Sequence, residues 1–155
     1  MTAPLLDVDS LRVTFDTPRG PVLAVDGVSL QVGAGEVLGL VGESGCGKSL
    51  TMLALMGLLP GGAKVTGGSL SVLGQAMAPN AWGHARRPAP GLAMVFQQPT
   101  AALNPVFTVG DQLLAVARTQ PGRNTRAALT SACLTALEQV RLSDPRRVFS
   151  SYPFQ

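Results

Sequence analysis

The chain has 155 residues, room for one domain or a piece of a larger one; 46% of them are hydrophobic and 14% charged, which excludes a disordered polypeptide. A net charge of +3 with scattered arginines, adjacent only at Arg86–Arg87 and Arg146–Arg147, is too thin for a nucleic-acid-binding stripe, so no such partner is expected. No apolar run reaches the roughly 18 residues that span a bilayer; the N-terminus lacks the pattern of a secretory signal, and Cys46 and Cys133 have no pairing or metal spacing, as in a reducing cytosol.

The first predicted elements are strands. "LLDVD" (5–9) is an apolar run ending in acid, and Asp7 and Asp9 are expected at the surface. "LRVTF" (11–15) and "VSLQV" (28–32) alternate apolar and polar residues, the period of strands with one solvated face. "EVLGLV" (36–41) is continuously apolar, the pattern of a parallel strand covered on both faces.

Next comes "VGESGCGKSL" (41–50), which carries G-x-x-x-x-G-K-[ST] between a predicted strand and a predicted helix. Gly42, Gly45 and Gly47 allow torsions and close approach that side chains forbid. Glu43, Ser44 and Cys46 complete the loop, and amides from about Gly45 to Leu50 are expected to wrap phosphates. Lys48, one of two lysines, is placed to neutralise the outer phosphates of ATP, and the Ser49 hydroxyl to hold Mg²⁺. A thiol at Cys46 is a candidate for alkylation that bound nucleotide would block. The plain alternative, a glycine-rich strand-to-helix turn, does not explain why lysine and serine occupy those two positions.

"SLTMLALMGLLP" (49–60) reads as a helix closed by Pro60 and the glycines after it. "PGGAKVTGG" (60–68) and "MAPNAW" (77–82) read as loops, and His84, the only histidine, as loop surface. "GLAMVF" (91–96) is a second candidate buried strand. In "TVGDQLLAVA", Thr108 and Asp111 have capping-box spacing, and farther on Leu129, Cys133, Leu137 and Val140 fall near one helical face.

In this order, "AVDGVSLQVGAGEVLGLVGESGCGKS", "GGSLSVLGQ", "MVFQQPTAALNPVFTVGDQL" and "SSYPFQ" resemble the ATP-binding subunits of ABC transporters, most of all the dipeptide, oligopeptide and nickel importers. The resemblance covers essentially the whole chain. It implies an α/β fold, a phosphate-loop NTPase core of ABC type. Antiparallel N-terminal strands and a partial parallel sheet occupy 1–106; part of an α-helical subdomain occupies 107–155.

By the same resemblance, Phe15 stacks on adenine; Gln97 reaches Mg²⁺ and the attacking water, so that Lys48 and Gln97 are the catalytic candidates and Ser49 and Gln97 the metal ligands. One departure is Leu50, where most of the wider superfamily carries a hydroxyl; this removes one side-chain bond to the α-phosphate.

The implied activity is ATP hydrolysis coupled to import of peptides or related small solutes. The implied partners are integral membrane permease subunits, a second ATP-binding subunit and, indirectly, a substrate-binding protein, at the cytoplasmic face of the inner membrane. In the family, "SSYPFQ" immediately precedes the "LSGG" signature, so the chain reads as an N-terminal fragment. Asp7, Asp9, Glu138 and His84 do not supply the water-activating carboxylate or switch histidine that the resemblance requires. The 155 residues alone are therefore expected to be poorly soluble and to hydrolyse ATP negligibly. A nucleotide-binding or docking module that never hydrolyses is the alternative. A DNA-repair ATPase would need zinc cysteine pairs or coiled-coil inserts, and a simple phosphate-loop kinase would not start with two such strands.

Overall fold

A computed structural model describes residues 3–77, 91–97, 102–119, 122 and 125–155. They form two compact units, 1–94 and 95–155. The remainder of "MAPNAW" after Met77, together with His84, Arg86, Arg87 and Gln98, lies outside the described residues.

The first unit is built on a four-stranded antiparallel sheet in the order β2-β1-β3-β4, from β1 (Leu6–Thr17), β2 (Gly20–Val32), β3 (Ala63–Val72) and β4 (Gln75–Ala76). Both alternating segments expected from the sequence are here, extended into one long hairpin that turns at Pro18–Arg19. Val8, Leu11 and Val13 of β1 are buried at 1% exposure or less, while Asp9 and Arg12 face solvent; the period of two is interrupted once, by an irregularity between Val8 and Leu11. Asp7 is half-buried and accepts a hydrogen bond from Gln31 Nε2 at 3.0 Å.

Helix α1 (Lys48–Leu55) covers the apolar face of the sheet. Its Ala54 and Leu55, with Leu59 beyond it, join Val8, Leu11, Val13, Val25, Ala63, Leu70 and Val72 in one core. Each fully buried aliphatic side chain contributes about 1.5–3 kcal/mol relative to exposure. The helix stops earlier than the sequence suggested, because Gly57 adopts φ 70° and closes it. The Gly57 N–H donates to Ala54 O (3.1 Å) and the Leu58 N–H to Leu53 O (2.9 Å), the two bonds of a Schellman motif. Pro60 is not needed to end it.

Three expectations are corrected. Residues 36–41 form no strand: all are exposed, with Val37 and Val41 at 95% and 91%. Residues 91–96 likewise form none, and Val95 is 91% exposed. An apolar run becomes a strand only where another backbone runs beside it to take its hydrogen bonds, and every pairing among the described strands is antiparallel and lies elsewhere. Conversely, most of "PGGAKVTGG" is not loop but the first half of β3. Its backbone is held by β1, and Gly68 (φ 99°) sits opposite a bulge in β1 where Ser10 has φ 52°.

The second unit holds α2 (Val109–Ala117), α3 (Arg126–Gln139) and α4 (Pro145–Ser150). Each helix begins with a side-chain cap: Thr108 Oγ1 accepts from Asp111 N–H (3.1 Å), Thr125 Oγ1 from Ala128 N–H (3.3 Å) and Asp144 Oδ1 from Arg147 N–H (3.0 Å). The Thr108 hydroxyl also donates to Asp111 Oδ2 at 2.7 Å, so the two residues of the expected box meet, the second bond running between side chains. Leu114, Leu129 and Cys133 form the core, with Phe149 against it. Leu129, Cys133 and Leu137 are buried as expected, but Val140 is 67% exposed, because the helix ends at Gln139 and the chain turns away through Arg141 at φ 60°.

Packing in this unit is tight at one point. A Cβ built on Gly110 would lie 2.5 Å from both Cε1 and the carbonyl oxygen of Phe149. Gly110→Ala should therefore destabilise the helical unit by about 1–3 kcal/mol despite alanine's better helix propensity. Chemical denaturation followed by circular dichroism checks this; an unchanged midpoint would refute it.

Candidate functional site: a phosphate loop and its cleft

The loop that precedes α1 is shaped by its glycines. Gly42, Gly45 and Gly47 have φ values of 155°, 85° and 95°. At Gly47 there is a second constraint: a Cβ would lie 3.2 Å from Ala24 O and 3.4 Å from a Val25 methyl, so the loop can lie against β2 only without a side chain there. Gly47 is also the N-cap of α1. Its carbonyl accepts the Thr51 N–H at 2.8 Å and the Thr51 hydroxyl at 3.0 Å. Thr51 is 3% exposed, and this bond satisfies its hydroxyl.

Lys48 folds back over the loop. Its Nζ donates to the carbonyls of Gly42 and Glu43, both at 2.7 Å, and lies 3.4 Å from Cys46 Sγ. The ammonium thus stands at the mouth of the loop. The first turn of α1 contains no acidic residue and no side-chain cap, so the amides of Lys48, Ser49 and Leu50, which α-helix geometry leaves without intrahelical acceptors, remain for an anion.

This loop forms one side of an open cleft of about 560 Å³, a volume typical of small-molecule sites. Its lining combines Ser44, Gly45, Gly47, Lys48 and Ser49 with the apolar residues Phe15, Ala24, Leu50 and Leu53. Phe15 arrives from β1, where it pairs with Val22 of β2 and Ala63 of β3. Of the residues singled out in the sequence, the cleft therefore gathers Phe15, Ser44, Gly45, Gly47, Lys48, Ser49 and Leu50. Gly42, Glu43 and Cys46 belong to the same loop, tied to Lys48, and the Cys46 thiol is exposed. Gln97 is exposed at the end of the 91–96 run, in the second unit. The residues that sequence reasoning missed are Ala24 and Leu53. Ala24 carries no chemical signal, and Leu53 reads as ordinary helix core.

The cradle fits a phosphate group on its own geometry: left-handed glycines, a helix start free of acids, and an ammonium at the mouth. A match to the ABC transporter family over residues 25–153 takes in the loop and all three helices of the second unit. The chain belongs to the ABC transporter family. Similar proteins include the "Probable D,D-dipeptide transport ATP-binding protein DdpD" of Escherichia coli (strain K12), 41% identical over 100% of this chain and 48% of that relative. The oligopeptide transport ATP-binding protein OppD of Mycobacterium tuberculosis (strain ATCC 25618 / H37Rv) is 41% identical over 99% of this chain and 25% of its own length. The dipeptide transport ATP-binding protein DppD of Haemophilus influenzae is 40% identical over 97% and 46%. The chain thus spans between a quarter and about half the length of these ABC transporter proteins. Among the described residues, no helix of this ABC transporter chain is long and apolar enough to cross a membrane.

Proposed function

We propose that this chain is the nucleotide-gripping portion of the ATP-binding subunit of an ABC importer for peptides or related small solutes. The observation that carries this reading is the cleft itself, whose lining joins an aromatic residue of the sheet to a glycine-shaped loop with its lysine and serine. Residues 1–106 bind nucleotide, and residues 107–155 belong to a helical part that works with the membrane partners.

Lys48 gives up its bonds to the Gly42 and Glu43 carbonyls, or shares them, to meet the outer phosphates. The amides from Gly45 to Leu50 hold the remaining phosphate oxygens, and Ser49 Oγ would be a ligand for Mg²⁺, which would supply positive charge to offset that of the phosphates. Phe15 stacks on the base. Gln97 is assigned to the metal and the attacking water on its motif alone. Hydrolysis requires groups that Asp7, Asp9 and Glu138 do not provide, so the 155 residues by themselves bind nucleotide and turn it over negligibly. In the assembly, two such subunits close on ATP beneath permease subunits at the cytoplasmic face of the membrane, and an external binding protein delivers the solute.

The test is hydrogen exchange with and without Mg-ATP. Protection centred on residues 42–50 supports the reading. Binding without protection of that loop, or no binding by folded protein, overturns it.

A further inference from the structure

The segment that follows Gln97 in the second unit is held in place by one side chain of α2. Gln112 Oε1 accepts the Asn104 N–H at 2.9 Å, and Gln112 Nε2 donates to the Asn104 carbonyl at 3.0 Å and to the Phe107 carbonyl at 3.1 Å. The carboxamide thus pairs with both backbone groups of Asn104, as the peptide of a neighbouring strand would. Within the segment, Asn104 Oδ1 accepts the Val106 N–H at 3.0 Å, and Pro105 fixes the torsion between them. Leu103, Val106 and Phe107 are exposed, so hydrogen bonds rather than burial keep this stretch in shape. At another attachment α2 donates the Val109 N–H to Ser151 O at 2.9 Å, which ties the same helix to the residue that ends α4.

We propose that Gln112 is a positioning residue: it locks residues 104–108 to α2, so that a displacement of Gln97 by bound nucleotide is carried into α2 and on to Ser151. This rests on the phosphate-loop reading and the motif assignment of Gln97 above, and extends them from binding to regulation. The ground is stiffness. A connecting segment passes a displacement on only if it does not yield itself, and an exposed loop without such bonds yields. Each net hydrogen bond is worth little, but three converging on one side chain decide which arrangement of the loop is populated. Gln112 belongs neither to the cleft lining nor to the core of Leu114, Leu129 and Cys133, so its replacement separates transmission from binding and from folding.

The test is hydrogen exchange on the full-length protein, with and without Mg²⁺ and a non-hydrolysable ATP analogue. In the parent, protection of residues 42–50 should come with a change of at least about threefold in exchange over α2, residues 109–117. Gln112→Leu should bind the analogue within about twofold of the parent, exchange the Asn104 and Val106 amides about tenfold faster, and lose the response over α2. Gln112→Glu keeps the acceptor for the Asn104 N–H but no donor, and should fall between. Leu129→Val, which loosens the same unit in its core, should keep the response. The proposal is overturned if α2 ignores the analogue while residues 42–50 are protected, if Gln112→Leu retains the full response, or if Leu129→Val loses it equally. Failure of the underlying reading looks different: residues 42–50 then stay unprotected in the parent, and the positioning role falls with it.

Discussion

Lys48→Ala lowers the affinity for Mg-ATP by about a hundredfold while leaving the melting temperature within about 2 °C of the parent. The first half of this expectation follows from charge. Among the described residues that line the cleft, Lys48 is the one cation, and charge-assisted bonds to phosphate are worth roughly twice neutral ones, more where water is partly excluded. The second half follows from what Lys48 touches in the free protein: two loop carbonyls at 2.7 Å and a thiol at 3.4 Å, all in an exposed loop and none in the core. Lys48→Arg should not rescue fully, because a planar fork cannot replace a compact point charge held between two carbonyls. Calorimetric titration with a parallel thermal melt decides the matter. An affinity within twofold of the parent would remove the lysine from the site.

The second large effect concerns the sheet. Gly68→Ala should destabilise the first unit by about 3–4 kcal/mol. Gly68 has φ 99°, and a Cβ there would lie 2.6 Å from Asp9 O and 2.8 Å from both Leu11 N and Leu11 Cα. These are backbone atoms of β1, so no rotamer change relieves the clash. Relief would require β1 to shift at its bulge, moving Leu11, which is fully buried, out of the core. Gly61→Ala is the control: its Cβ would meet nothing within 4 Å, and a change below about 0.5 kcal/mol is expected. Urea denaturation of both variants gives the comparison; equal midpoints would show that the bulge yields more easily than its packing suggests.

The sequence disclosed some of this and hid the rest for physical reasons. The phosphate loop was legible because its chemistry is local: ten consecutive residues carry the torsions, the cation and the hydroxyl. The hairpin was legible because alternation reports one buried face. The capped start of α2 was legible because Thr108 and Asp111 interact across three residues. Strand pairing is not local. Residues 36–41 and 91–96 have the composition of buried strands, but composition does not state which backbone lies alongside, and none of the described strands does. The "AKVTGG" segment erred in the opposite direction: its glycines looked like a loop, whereas one of them accommodates a bulge in the neighbouring strand. Val140 kept the helical period but fell one residue beyond the last turn. That Phe15 lines the same cleft as the loop follows from β1–β2 pairing and the approach of Gly47 to Ala24, neither of which spacing along the chain reveals.

The pair of hydrogen bonds from Thr51 to the Gly47 carbonyl has a consequence for the thermodynamics of capture. With that oxygen held by both amide and hydroxyl of one buried residue, the peptide joining Gly47 to Lys48 has its orientation fixed when the helix folds. Rotational freedom at that junction is surrendered during chain collapse, so an arriving anion meets a dipole already aimed and incurs no ordering penalty there. Ligand grip and integrity of the opening helical turn are consequently one thermodynamic quantity: whatever frays the turn also weakens the grip.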